Sequence, residues 1–144
     1  MKYKRVLVTG AVGFIGFHLS ERLLKEGVIV VGVDSINDYY DVEVKNRRND
    51  ILKKYPNYKF YKLNLAKYDK LAKLVEEEKP EAIIHLAAQA GVRYSLIDPW
   101  IYAESNYLGT LNIFEVARRY NIKRVLFASS GAVYGNNTKM PFAI

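Results

Sequence analysis

Val6-Leu7-Val8-Thr9-Gly10-Ala11-Val12-Gly13-Phe14-Ile15-Gly16 is the stretch on which the fold turns. The short apolar run Val6 to Val8 has the length and composition of a buried strand. Glycines follow at Gly10, Gly13 and Gly16, and from Phe14 to Glu26 the chain reads as a helix. Ile15, Leu19 and Leu23, four residues apart, predict one apolar helix face. A glycine-rich turn between a strand and a helix has a physical use. Gly10 permits a tight turn, Gly13 lets a pyrophosphate approach the backbone, and Gly16 lets helix and strand pack closely. The helix start then offers free N–H groups and a positive dipole end to an anion. The spacing is G-x-x-G-x-x-G rather than G-x-G-x-x-G.

A second apolar run, Val28 to Val33, ends in Asp34, 18 residues beyond Gly16. A dinucleotide-binding fold places an acid about 20 residues on to bond the ribose hydroxyls. The carboxylate would repel a 2′-phosphate, and no arginine follows directly to accept one, so the expected cofactor is NAD rather than NADP. The alternative is that Asp34 only caps the turn Asp34-Ser35-Ile36-Asn37.

At 144 residues and 16.5 kDa the chain is expected to form one domain, 1–144, with a real core. Half its residues are hydrophobic. No apolar run approaches the roughly 18 residues of a membrane span. The basic start Met1-Lys2-Tyr3-Lys4-Arg5 leads into a run too short for a signal peptide. A cytoplasmic protein without membrane partners is expected. The absence of cysteine excludes disulfides, thiolate metal sites and a cysteine nucleophile. The net charge of +7 is interleaved with acids from Lys45 to Lys73 and along helix faces. Such a surface can attract an anionic nucleotide, and no nucleic-acid recognition motif accompanies it.

Strand and helix patterns alternate. Strands are expected at Arg5–Thr9, Val28–Val33, Tyr58–Leu63, Ala82–Leu86 and Arg124–Ala128. A helix at Asp41–Lys54 would carry a stripe of Val44, Arg48, Ile51 and Tyr55. Another runs from Tyr68 to Glu78, barred from continuing by Pro80. Asp98-Pro99 reads as an N-cap and first-turn proline opening a long helix to Tyr120, with Asn121 as its stop. The alternation predicts an α/β, Rossmann-like, doubly wound parallel sheet of five strands in the order 3-2-1-4-5. Its ligand crevice lies at the carboxyl ends of the strands, where strands one and four diverge.

Thr9-Gly10-x-x-Gly13-x-x-Gly16, Asp34, His85-Leu86-Ala87-Ala88, Asn106 and Ser129-Ser130-Gly131-Ala132-Val133-Tyr134-Gly135 together resemble the extended short-chain dehydrogenases/reductases. These are mostly NAD-dependent nucleotide-sugar epimerases and dehydratases. The motifs span the whole chain. Asp34-Ser35-Ile36-Asn37-Asp38-Tyr39-Tyr40-Asp41, followed by Lys45 and Arg48, and Ala88-Gln89-Ala90-Gly91-Val92-Arg93-Tyr94-Ser95 are most similar to UDP-glucuronate 4-epimerases. UDP-glucose 4-epimerases and sugar-nucleotide dehydratases share most of this framework.

The resemblance implies roles for individual residues. Gly10, Gly13, Phe14, Ile15 and Gly16 would hold the pyrophosphate of NAD, and Asp34 and Asn37 the adenosine ribose. Asn64-Leu65 stands where the family usually has an aspartate-led pair touching adenine. The amide oxygen of this departing asparagine could still accept from the adenine amine. Leu86, Ala87, Ala88 and Gln89 would line the cofactor, with Asn106 towards the nicotinamide end. Ser130 would be the active-site hydroxyl on the sugar, with Ser129 its neighbour. A UDP-sugar substrate and a homodimer are also implied.

The family's catalytic tyrosine, paired with a lysine four residues later, belongs on a helix expected after Gly135. The chain therefore reads as the cofactor-binding part of a longer enzyme, inactive alone. Tyr55 with Lys59 and Tyr58 with Lys62 match the spacing but read as bystanders. The rival readings are an NAD-holding module without catalysis, and a redox enzyme of the same fold. His85 is expected to be packed or bonded to backbone, and His18 to lie on the surface. Two histidines without cysteine make no metal site. An apolar fifth strand and the Asp98–Tyr120 helix are expected to favour self-association.

Overall fold

The structure, a computed structural model, describes residues 3–142. Strands β1 (Arg5–Thr9), β2 (Ile29–Asp34), β3 (Tyr58–Lys62), β4 (Ala82–His85) and β5 (Val125–Phe127) form one sheet in the order β3-β2-β1-β4-β5. Every pairing is parallel. At the centre Val8 stands opposite Gly32 on β2 and Ile84 on β4. This is the expected doubly wound order, with the switch of direction between β1 and β4.

Helices α1 (Phe14–Lys25) and α2 (Val42–Leu52) cover one face of the sheet; α3 (Tyr68–Glu78) and α5 (Gly109–Arg119) cover the other. Alternate residues of β1 serve the two faces, as the pleat requires. Leu7 packs with Val31, Ile83, Ile113 and Val116, whereas Val6 and Val8 pack with Leu23, Val30 and Leu52. Full burial of a side chain such as Leu7 contributes about 1.5–3 kcal/mol. Among the described residues no helix is long and apolar enough to cross a membrane.

The local signals act as expected. Asp41 caps α2 by accepting from the amides of Glu43 (2.8 Å) and Val44 (3.4 Å). Asp98 accepts from Trp100 and Ile101 ahead of α4 (Pro99–Tyr102). Asn121 adopts φ 57°, the left-handed conformation that ends a helix.

Three expectations need correction. The inner face of α1 is Gly16, Ser20, Leu23 and Leu24, with Ile15 exposed, because close approach to the turn favours small residues there. The inner face of α2 is Lys45, Asn49 and Leu52, while Val44 and Ile51 are exposed. Polar Lys45 and Asn49 turn inwards because partners wait there, as described below. The long helix is also not uniform: between α4 and α5 the segment Ala103–Leu108 is wound as a π-helix. Such widened turns are rare and cluster at functional sites.

Candidate functional site

The glycine turn is shaped by backbone crowding. Gly10 has φ +67°, and a Cβ there would lie 2.9 Å from the Ala87 amide nitrogen. A Cβ on Gly16 would collide with the Gly10 carbonyl oxygen. Gly13 is the N-cap of α1 and supplies no side-chain cap. The first amides of α1, on Phe14, Ile15 and Gly16, therefore have no intrahelical acceptor. They border a cleft of about 520 Å³ that Lys45 and Arg48 of α2 also line. Arg48 donates to the Val12 carbonyl (3.4 Å) and lies over the Phe14 ring, 5.9 Å from its centroid. Exposed helix amides beside two cations make an anion site.

A second cleft, of about 250 Å³, shares Gly10, Gly13, Tyr40, Lys45 and Leu86 with the first, so the two form one crevice across the strand ends. Its wall after β2 is a polar chain. The buried Asp34 carboxylate accepts from the Ile36 amide at 2.8 Å, so it does cap its own turn, and it also lines the cleft. Lys45 Nζ lies 3.9 Å from that carboxylate and donates to the Asn37 carbonyl (3.2 Å) and Oδ1 (2.8 Å). Asn37 Nδ2 donates to Gln89 Oε1 at 3.4 Å, while the buried Gln89 Nε2 has no hydrogen-bond partner among the described residues.

The wall after β4 is held from two sides. Asn106, inside the π segment, accepts from the Gln89 amide (2.7 Å) and donates to the Gln89 carbonyl (3.0 Å). From below, Thr9 Oγ1 accepts from the Leu86 and Ala87 amides, both at 3.2 Å. With its acceptor positions used, the Thr9 hydroxyl donates its proton to His85 Nδ1 at 2.7 Å. His85 is therefore protonated at Nε2, which donates to Thr110 Oγ1 at 3.0 Å. Burial pushes its pKa down to about 4. His85 thus is packed as expected, but it bonds two threonine hydroxyls rather than backbone.

The structure brings Gly10, Gly13, Phe14, Ile15, Gly16, Asp34, Asn37, Asn64, Leu65, Leu86, Ala87, Ala88 and Gln89 to the lining of this crevice. Asn106 acts behind it through Gln89. Ser129 and Ser130 do not line it; they lie exposed beyond β5, where Ser130 Oγ accepts from the Ala132 amide at 3.2 Å. Ala128, just before them, does reach the crevice. Lys45, Arg48 and Glu104 line it and were not among the expected site residues. The spacing Lys45, Asn49, Leu52 is itself a helix stripe, but its polarity hides it from a search for apolar faces.

Of the two spaced tyrosine–lysine matches, Tyr58 is buried on β3 with its hydroxyl 3.4 Å from Asn49 Oδ1. Burial drives its pKa well above the usual range. Tyr55 donates to Glu21 at 3.4 Å. Among the described residues no cluster of three histidine or acidic side chains could hold a metal ion.

A doubly wound sheet with an anion-binding glycine turn and an acid after β2 defines the class of dinucleotide-binding Rossmann domains. Within that class, the chain belongs to the NAD dependent epimerase/dehydratase family, whose model matches residues 6–143. An uncharacterised protein of Methanocaldococcus jannaschii is 53% identical over 99% of this chain and 44% of its own length. The UDP-glucuronate 4-epimerase of Thermodesulfobacterium geofontis is 46% identical over 92% of this chain and 41% of its own length. Among solved structures, UDP-glucuronic acid 4-epimerase from Bacillus cereus, in complex with UDP-glucuronic acid and NAD, superposes with a TM-score of 0.83. It is 32% identical, over 94% of this chain and 43% of that one. The chain thus spans about two fifths of the length of the relatives it matches.

Proposed function

We propose that this chain is the cofactor-holding part of an NAD-dependent UDP-sugar 4-epimerase, of the kind that acts on UDP-glucuronate. The observation that carries the reading is the continuity of the crevice, from the bare amides of α1 to the Asp34–Lys45–Asn37 wall. The residues present fit NAD. Gly10 and Gly16 let the turn close tightly on its own backbone, and the first amides of α1 offer donors to a pyrophosphate. Asp34 offers an acceptor to ribose hydroxyls, and the orphaned, buried Gln89 Nε2 stands ready as a donor at the crevice wall. When bound there, NAD supplies a reversible hydride acceptor for C4 of the sugar.

In this reading Gly13, Phe14, Ile15 and Gly16 hold the pyrophosphate, and Asp34 with Asn37 holds the adenosine ribose. Leu86, Ala87 and Ala88 line the cofactor. Asn106 fixes that wall by holding the Gln89 backbone. Ser130, which lies exposed beyond β5 and outside the crevice lining, is the hydroxyl that hydrogen-bonds the sugar oxygen. The general base is not Tyr55 or Tyr58, whose hydroxyls are engaged on other elements, so the 144-residue chain alone is inactive. We also take the protein as a homodimer, supported by the exposed Trp100, Tyr107, Leu111 and Phe114 along one helical stretch. We take it as cytoplasmic in the same reading.

The test is to incubate the whole protein with UDP-glucuronate and a trace of NAD and to separate the sugar nucleotides. The expected product is the C4 epimer without accumulation of NADH. Net NADH would make it a dehydrogenase, and no turnover beside tight NAD binding would make it a holding module. Turnover by the pure 144-residue chain would overturn the assignment of its tyrosines. Sedimentation checks the dimer.

A further inference from the structure

Each end of the Asn64 side-chain amide already holds a partner. Its Oδ1 accepts from the Ala66 amide at 2.9 Å, and its Nδ2 donates to Glu104 Oε1 at 3.1 Å. Both bonds fix the amide orientation, since an N–H must meet an acceptor and a carboxylate must meet a donor. The oxygen that could have met an adenine amine therefore faces its own turn. Glu104 comes from the π segment, lines the same cleft as Asn64, Asp34 and Ser35, and is exposed to it. Its Oε1 is held by Asn64, and no hydrogen bond occupies Oε2 among the described residues.

We propose that Glu104, oriented by Asn64, is the residue that reads the 6-amino group of the adenine ring. This rests on the reading of the crevice as an NAD site. It also explains why asparagine stands at position 64. An aspartate there would set two carboxylates at hydrogen-bond distance, whereas an amide donates to Glu104 and leaves one carboxylate oxygen for the ligand. The acceptor has moved from the turn after β3 to the helix across the cleft. Glu104 and Asn106 both belong to the π segment Ala103–Leu108.

Nicotinamide hypoxanthine dinucleotide tests the proposal, because it differs from NAD in carrying an oxygen where adenine has its amine. Calorimetric titration of the chain with each dinucleotide gives the ratio of affinities. NAD is expected to bind about tenfold tighter, the worth of one hydrogen bond to a charged group. Glu104→Ala is expected to bring the ratio to about one by weakening NAD alone. Glu104→Gln, whose amide can also donate to the hypoxanthine oxygen, is expected to narrow or reverse it. Asn64→Ala leaves the Glu104 carboxylate in place and is expected to preserve a preference for NAD. Equal binding of both dinucleotides by the unaltered chain would overturn the proposal, as would a tenfold preference that survives Glu104→Ala. Loss of the preference in Asn64→Ala with its retention in Glu104→Ala would assign the amine to Asn64 instead. Binding of neither dinucleotide would instead overturn the NAD reading beneath it.

Discussion

β1 and β5 carry the same kind of apolar run, and their surroundings differ completely. In β1, Val6, Leu7 and Val8 are sealed by α1 and α2 on one face and by α3 and α5 on the other. In β5, Val125 is half-buried, Leu126 is 65% exposed and Phe127 is 49% exposed. Phe114 meets the Phe127 ring edge-on, and β4 pairs along one side only. An apolar run therefore reports the tendency to be covered, while the degree of cover depends on what packs there. An exposed apolar strand edge is also a template for pairing with another chain.

The largest test of that contrast is a pair of truncations. Leu7→Ala is expected to cost about 4 kcal/mol, through lost transfer energy and a cavity that the sheet cannot collapse. Leu126→Ala is expected to stay within about 0.5 kcal/mol, as for other exposed positions. Denaturant unfolding measures both, and similar costs would erase the distinction. Gly16→Ala sharpens it within the covered half. The new methyl meets the Gly10 carbonyl, which is backbone and cannot rotate away, so about 3 kcal/mol is expected by the same measurement.

His85 links the covered β1 to β4 and makes the contrast pH-dependent. Its pKa is lowered to about 4 in the fold by burial, against 6.5 in the unfolded chain. Between those values the unfolded state binds the extra proton, so stability falls as pH drops from about 6.5 to about 4. Up to about 3 kcal/mol is expected from this one group. Thermal unfolding across that range should show the fall, and His85→Gln should flatten it. The smallest effect is on selectivity. Asp34→Ala removes the charge that opposes a 2′-phosphate, so a preference for NAD over NADP of about tenfold is expected to shrink. Titration with both dinucleotides measures it, and an unchanged ratio would remove Asp34 from the ribose site.

Most of the frame could be read from residues whose effect is local. Gly10 needs a positive φ, Asp41 and Asp98 cap the helices that follow them, and Asn121 stops one. The crevice lining after β1, β2 and β4 followed from topology. What escaped were residues whose role depends on a distant partner. Lys45 reads as a surface cation until Asn37 and Asp34 are brought beside it. Ile15 and Val44 read as inner-face residues, yet the positions that face the sheet belong to Gly16 and Lys45. Asn64 reads as an acceptor for a ligand, yet in the fold its amide is oriented by Ala66 and Glu104.

The amino-acid order alone determined the alternation of strands and helices, the strand order and the glycine turn. Those follow from backbone conformations and short-range periodicity, which act over a few residues. The Thr9–His85–Thr110 relay, the π turn that carries Glu104 and Asn106, and the inward turn of Lys45 were decided only by the assembled fold. Each rests on bonds between residues far apart in the chain: 76 positions separate Thr9 from His85 and 40 separate Asn64 from Glu104. A polar side chain has no preferred side until its partner is in place, because an unpaired buried donor or acceptor costs more than the bond returns.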